Sequence, residues 1–186
     1  MKSWRIAFAC CLAVFVSPAL VHAQAQPPSD VSKQIINAPA PESFAVYGVA
    51  TKPGVVKDKN VQGGRALRVP IPAASDQPWS IGLTSGITQP VKKGDKLVVA
   101  AWVRASTLPD GASSAKIAAI QINLSKAPYT PVFQGQAEAT GEWKMVHASG
   151  VADRDYAAGE LTASLQLATG KQVFDIGPIL VLDISK

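Results

Sequence analysis

Residues 96–105, Lys-Leu-Val-Val-Ala-Ala-Trp-Val-Arg-Ala, alternate with a period of two behind a Gly94-Asp95 turn. Leu97, Val99, Ala101, Val103 and Ala105 share one wholly apolar face. Val98, Ala100, Trp102 and Arg104 share the other, which is apolar at its start and ends in an indole and a guanidinium. Side chains along a strand point to opposite faces in turn, so this segment is a strand with one face committed to a core. A chain built around it needs a second layer to cover that face.

The rest of the sequence repeats the pattern in shorter pieces. Residues 116–124 alternate, with Ile120, Ile122 and Leu124 on one side and Ala119, Gln121 and Asn123 on the other. Residues 161–167 set Leu161, Ala163, Leu165 and Leu167 against Thr162, Ser164 and Gln166. Further β-prone runs cover residues 44–49, 65–69, 79–83, 132–134, 143–148 and 172–184, separated by Gly, Pro, Asn and Asp turns. In the run 79–83, Trp79, Ile81 and Leu83 fall on one face, which predicts a packing role for Trp79; Trp143, at the start of another run, reads as core. Pro70, Pro72 and Pro78 are expected to keep the chain out of regular ladders between residues 70 and 78. No segment of useful length carries a helical period. The pattern predicts an all-β fold, an antiparallel β-sandwich.

The first residues stand apart. Lys2 and Arg5 precede an apolar run over residues 6–16, Ser17-Pro18 breaks it, and small residues follow at Ala23 and Ala25. This is the pattern of a cleaved secretory signal over residues 1–25, too short to remain as a membrane span, which places the mature chain in the periplasm or outside the cell. Both cysteines, Cys10 and Cys11, lie within it, so the mature chain would have no disulfide and would rest on its core. Removing Lys2 and Arg5 lowers the formal charge from +5 to +3, from 18 bases against 13 acids to 16 against 13. With no basic block or stripe, the charge gives no reason to expect nucleic acid. Pro27, Pro28, Pro39 and Pro41 make residues 26–41 read as a flexible leader, with one folded domain over residues 42–186.

Candidate catalytic groups thin out quickly. After the leader the chain has a single histidine, His147, which excludes a two-histidine metal site. His147 reads as a surface strand residue, and Asp153 and Asp155 as a solvated turn without the further acids a calcium loop supplies. Glycoside hydrolysis needs two carboxylates facing across a cleft, and no pair is marked. Asp175, between Phe174 and Ile176, reads as a structural carboxylate. What remains is binding without catalysis. Gln121 and Asn123, Ser164 and Gln166, and Trp102 with Arg104 are polar or aromatic groups on otherwise apolar strands. They either form the solvated side of an outer sheet or line a face suited to sugars, where a ring covers C–H surface and planar amides bond hydroxyls.

The order of these segments carries a resemblance. Gly63-Gly-Arg-Ala-Leu-Arg-Val69, Trp79-Ser-Ile-Gly-Leu83, Val91-x-x-Gly94-Asp-x-Leu-Val-Val-x-x-Trp-Val-Arg-Ala105, Glu142-Trp143 and the run from Val173 to Leu182 together resemble the carbohydrate-binding modules of families four and nine, found beside cellulases and xylanases. The resemblance spans the whole folded domain and implies a galactose-binding-like jelly roll. It also implies an open sheet face that takes β-glucan or xylan, and it allows for a structural calcium away from that face. Carried over residue by residue, it points to Trp102, Arg104, Gln121, Gln134 and Gln166, with Tyr129 as an aromatic at the rim. Gly82 stands where many relatives have a polar side chain. The functional expectation is an exported, monomeric carbohydrate-binding domain; the alternative is a protein-interaction domain of the same fold with no sugar site.

Overall fold

The computed structural model describes residues 31–50 and 53–186. The leader expected over residues 1–25, and the part of the Pro-rich stretch before residue 31, lie outside the described residues. Among the described residues ten strands form two five-stranded sheets, with all strand pairs antiparallel. One sheet, called front here, has the order β1 (Ala45–Tyr47), β4 (Gly82–Gly86), β9 (Leu161–Gln166), β6 (Ala115–Leu124), β7 (Pro131–Ala139). The back sheet has the order β2 (Gly54–Lys57), β3 (Arg65–Ile71), β10 (Gln172–Asp183), β5 (Lys96–Thr107), β8 (Lys144–Val151). The architecture is the antiparallel β-sandwich that the period-two pattern predicts, in the jelly-roll form that the resemblance implies. Among the described residues no helix is long and apolar enough to cross a membrane.

The core lies between the sheets. Leu97, Val99, Ala101 and Val103 of β5 are fully buried, and so are Phe174, Ile176, Ile179 and Val181 of β10. They meet Ile117, Ile120 and Ile122 of β6 and Leu161, Ala163 and Leu165 of β9 from the front sheet. Burying one such side chain contributes roughly 1.5–3 kcal/mol, so the interleaved rows dominate stability in a domain whose described part contains no cysteine. The Gly94-Asp95 turn ahead of β5 is closed by the Asp95 carboxylate, which accepts a bond from the Lys92 backbone N–H at 2.7 Å. Gly94 itself sits at φ +92°, which a side chain would resist.

Three local expectations change. Pro70 lies inside β3, opposite Val173, with β2 ending short of it, so its missing N–H costs no ladder bond on that side. The folded domain begins before Glu42. Ile36 is fully buried, its N–H bonds to Val181 at 2.9 Å, and Ile35 and Asn37 form bridges to Leu182 and Ile87. The Asn37 amide imitates a strand neighbour, accepting from the Val181 N–H and donating to the Ile179 carbonyl, each at 2.8 Å. Residues 35–39 thus run beside the second half of β10, where β3 has already ended, and are no flexible leader. Finally, Pro78–Ser80 is a 3-10 turn, not the start of a strand. Ile81 and Leu83 stay buried as alternation predicts, but the turn takes Trp79 out of register and leaves it 55 % exposed.

Candidate functional site

The outward side of the front sheet carries a groove of about 870 Å³. Strand pairing lays its floor in rungs that cross the sheet. Gln134, Gln121, Ser164 and Thr84 are consecutive partners on β7, β6, β9 and β4. On one side the next outward rung is Asn123, Thr162 and Gly86; on the other it is Ala119, Gln166, Gly82 and Tyr47. Adjacent strands lie about 4.8 Å apart, so a rung spanning five strands measures roughly 19 Å. Polar residues recur here because each sits between inward apolar residues, as Gln121 does between Ile120 and Ile122.

Aromatic rings stand at both ends of the strands. Trp79, in the turn before β4, and Tyr47 of the edge strand β1 flank the Gln166 end. Tyr129, 60 % exposed, stands at the other end on the corner between β6 and β7, next to Pro128. Tyr129 has φ +57°, the left-handed region that costs an L-residue with a bulky side chain about 1–2 kcal/mol. Strain of this kind concentrates where a side chain must be presented in one direction. Gly82 has a local cause too. A Cβ there would lie 2.4 Å from the Leu165 carbonyl oxygen and 2.5 Å from the Tyr47 hydroxyl, so the phenol occupies the space a side chain at position 82 would fill. Burial pushes the Tyr47 phenol above its ordinary pKa, and it stays protonated as a hydrogen-bond donor and acceptor at neutral pH.

The floor is ordered by a closed set of bonds. Asn123 donates its Nδ2 to the Leu124 carbonyl at 2.8 Å, which turns its Oδ1 toward Ser164 and Gln121. Ser164 Oγ donates to that oxygen at 2.6 Å. Gln121 Nε2 donates to Asn123 Oδ1 at 3.2 Å and to Ser164 Oγ at 3.1 Å. Gln121 is only 5 % exposed, and its Oε1 has no hydrogen-bond partner. Among the described residues that line the groove, none is Asp, Glu, Lys, Arg or His.

Of the residues singled out from sequence, Gln121, Tyr129, Gln134 and Gln166 meet in this groove. Trp102 and Arg104 do not. They lie on β5 in the back sheet, on the opposite side of the molecule, because alternation shows that a residue faces outward but not from which sheet. There Arg104 is held between Asp175, at 2.9 Å, and Asp58, at 2.9 Å, and stacks over the Trp143 ring with its guanidinium carbon 5.0 Å from the centroid. Arg68 grips the same Asp175 with two bonds of 2.8 and 2.9 Å. Trp143 is half-buried rather than core, and donates its indole N–H to Asp58. The Trp102 indole donates to Gln62. Burial pushes the Asp175 carboxyl up, but bonds from Arg68 and Arg104 outweigh it and hold it below the ordinary carboxylate range. This cluster ties the segment between β2 and β3 to the sheet, and the structural reading of Asp175 agrees with it.

Sequence reasoning missed Trp79 and Tyr47 as groove residues. The Pro78 that begins the turn was the available signal for Trp79. The calcium that the resemblance allows takes six to eight oxygen ligands, and among the described residues no three acidic, histidine or cysteine side chains come together to lead such a set. Asp155 is taken by Lys92 and the Lys93 N–H, and Asp153 by the Tyr156 hydroxyl.

Comparison with protein-family models and with curated proteins yields no match. Solved structures do match. A carbohydrate-binding module of family 4 superposes with a TM-score of 0.57 at 18 % identity, covering 76 % of this chain and 94 % of the other. The N-terminal cellulose-binding domain of Cellulomonas fimi β-1,4-glucanase C gives 0.55 at 19 %, covering 78 % and 91 %. The Clostridium thermocellum xylanase 10B fragment, a family 22 module joined to its catalytic module and complexed with xylohexaose, gives 0.58 at 16 %. There the match covers 82 % of this chain and 29 % of that longer one. At these identities the likeness is one of fold, which many functions share.

Proposed function

We propose that this domain binds a carbohydrate chain in the groove of its front sheet and holds it without cleaving it. One observation carries the reading: exposed aromatic rings stand at both ends of a floor made of amides and hydroxyls. Rings cover the apolar faces of sugar units, and planar amides meet their hydroxyls in pairs. The sandwich shared with cellulose- and xylan-associated modules supports β-glucan or xylan as the first ligands to try. A groove whose described lining holds no carboxylate lacks the pair that glycoside hydrolysis uses. The leader pattern of residues 1–25 supports export to the periplasm or beyond the cell.

Titration calorimetry against soluble β-glucan, xylan and their oligosaccharides tests this. Saturable heat with at least one of them, abolished by Trp79→Ala, is the expected result. No heat across the panel overturns the proposal.

A further inference from the structure

We infer that a glycan is anchored at the Gln166 end of the groove, where the Tyr47 hydroxyl and the Gln166 amide bond one sugar unit beside the Trp79 ring; the inference rests on the carbohydrate reading above. At the centre of the floor the polar side chains are already engaged with one another or with the backbone. Asn123 donates to the Leu124 carbonyl, Ser164 and Gln121 both donate to Asn123 Oδ1, and Thr162 donates to the Ser85 carbonyl at 3.1 Å. These four residues are 3–6 % exposed, so ligand reaches little of them. The Gln166 end is the opposite. The Tyr47 hydroxyl, the Gln166 amide and the Trp79 indole N–H line the groove with no hydrogen bond among the described residues, and Tyr47 and Trp79 are 38 % and 55 % exposed. Polar groups that lose water weaken binding unless the ligand supplies a partner, so groups without a partner in the protein set which ligand is accepted. Gln134 and Tyr129 are also unengaged, but they stand apart from each other, on the edge strand β7 and at the corner before it.

Two glycines hold Tyr47 in place. Gly82 separates Tyr47 from Gln166 in the ladder, and the phenol oxygen lies 2.5 Å from where a Cβ on Gly82 would stand. The hydroxyl therefore reaches across bare backbone toward the Gln166 strand. Gly48, at φ +78°, lets the end of β1 lie against the 3-10 turn, since a Cβ there would stand 1.8 Å from the Ser80 carbonyl oxygen. The same turn carries Trp79 and is tied to the end of β9. The Ala168 N–H bonds to the Pro78 carbonyl at 3.2 Å and the Leu167 N–H to the Ile81 carbonyl at 2.9 Å. Ring, hydroxyl and amide are thus set against one another by backbone contacts before ligand binds, and such preorganisation lowers the cost of binding.

The test uses the full chain with β-1,4-linked gluco- and xylo-oligosaccharides of two and six units. The Gln166 and Thr162 rungs are four residues apart, roughly 13 Å, and Tyr129 lies beyond the second, so a disaccharide cannot span from Trp79 to Tyr129. In 15N-labelled protein a disaccharide should shift the Trp79 indole and the Gln166 side-chain amide and leave the Tyr129 backbone amide unmoved. Tyr47→Phe keeps the ring over Gly82 and removes only the hydroxyl. It should weaken disaccharide and hexasaccharide by the same factor, roughly three- to tenfold, with Tm within about 2 °C of wild type. Gln166→Met should do likewise. Tyr47→Phe protein that binds as wild type does, or that loses affinity for the hexasaccharide alone, overturns the inference while the carbohydrate reading stands. So do disaccharide shifts centred on Tyr129, or a disaccharide that fails to bind where the hexasaccharide binds. Absence of binding to every chain overturns both. The wild-type shifts decide even if a variant does not fold.

Discussion

Tyr129 offers a test in which stability and binding should move in opposite directions. The residue holds φ +57° at the corner between β6 and β7, while its N–H bonds to the Lys126 carbonyl at 2.9 Å. A left-handed conformation costs an ordinary L-residue about 1–2 kcal/mol, and Asn tolerates it several-fold better. The ring is 60 % exposed, so removing it sacrifices little packing. Tyr129→Asn should therefore stabilise the domain by about 0.5–1 kcal/mol, a rise in Tm of roughly 1–4 °C for a domain of this size. One ring face covering ~60 Å² of sugar contributes about 1.5 kcal/mol, so the same change should weaken glycan binding roughly tenfold. Thermal unfolding and calorimetry on one preparation read both numbers. A variant that is less stable than wild type, or that is more stable and binds as well, refutes the argument that strain is kept here to present the ring.

Other consequences follow from the same geometry. Trp79→Ala should abolish measurable binding and leave Tm within about 3 °C, since its ring is more exposed than buried. Trp102→Ala, by contrast, should leave glycan affinity unchanged, because the indole lies on the back sheet against Gln62; a loss of affinity there would contradict the placement of the groove. Asp175→Asn strips the counter-charge from Arg68 and Arg104 and should cost about 2–3 kcal/mol in denaturant unfolding, the partly exposed Arg68 limiting the loss. The Asp175 carboxyl is held low in the folded state, so its stabilisation is complete above the unfolded value near 4 and is lost as pH falls through the lower folded value. Acid unfolding below about pH 4 should accordingly be blunted in Asp175→Asn relative to wild type.

The sandwich was legible because its cause is local. Buried rows such as Leu97, Val99, Ala101 and Val103 repeat every second residue, and that period admits one backbone. The floor of the groove was legible for a related reason: Gln121 and Gln166 are polar residues in strands whose neighbours face a core. What alternation does not encode is the sheet to which a strand belongs. Trp102 and Arg104 look outward as Gln121 does, yet β5 pairs with β10 and β8, and its outward groups are spent on Asp175, Asp58 and Gln62. Alternation gives Trp79 a packing role instead of a place in the groove because one 3-10 turn shifts the register by which its face is judged. The segment at residues 35–39 escaped notice for another reason. Flanking prolines suggest a linker, and the bonds that fix Asn37 come from far along the chain, from Ser85 and from Ile179 and Val181.

The central claim is that ligand occupies the front groove and not the Trp-bearing back sheet. Backbone and indole amide shifts of the 15N-labelled protein, followed during titration with a soluble β-glucan or xylan oligosaccharide, test it most directly. The predicted result is saturating shifts at Gln121, Gln134, Ser164 and Gln166 and at the Trp79 indole, with the Trp102 and Trp143 indoles unmoved. Shifts that cluster on Trp102, Arg104 and Trp143, or their absence with every such ligand, would contradict it.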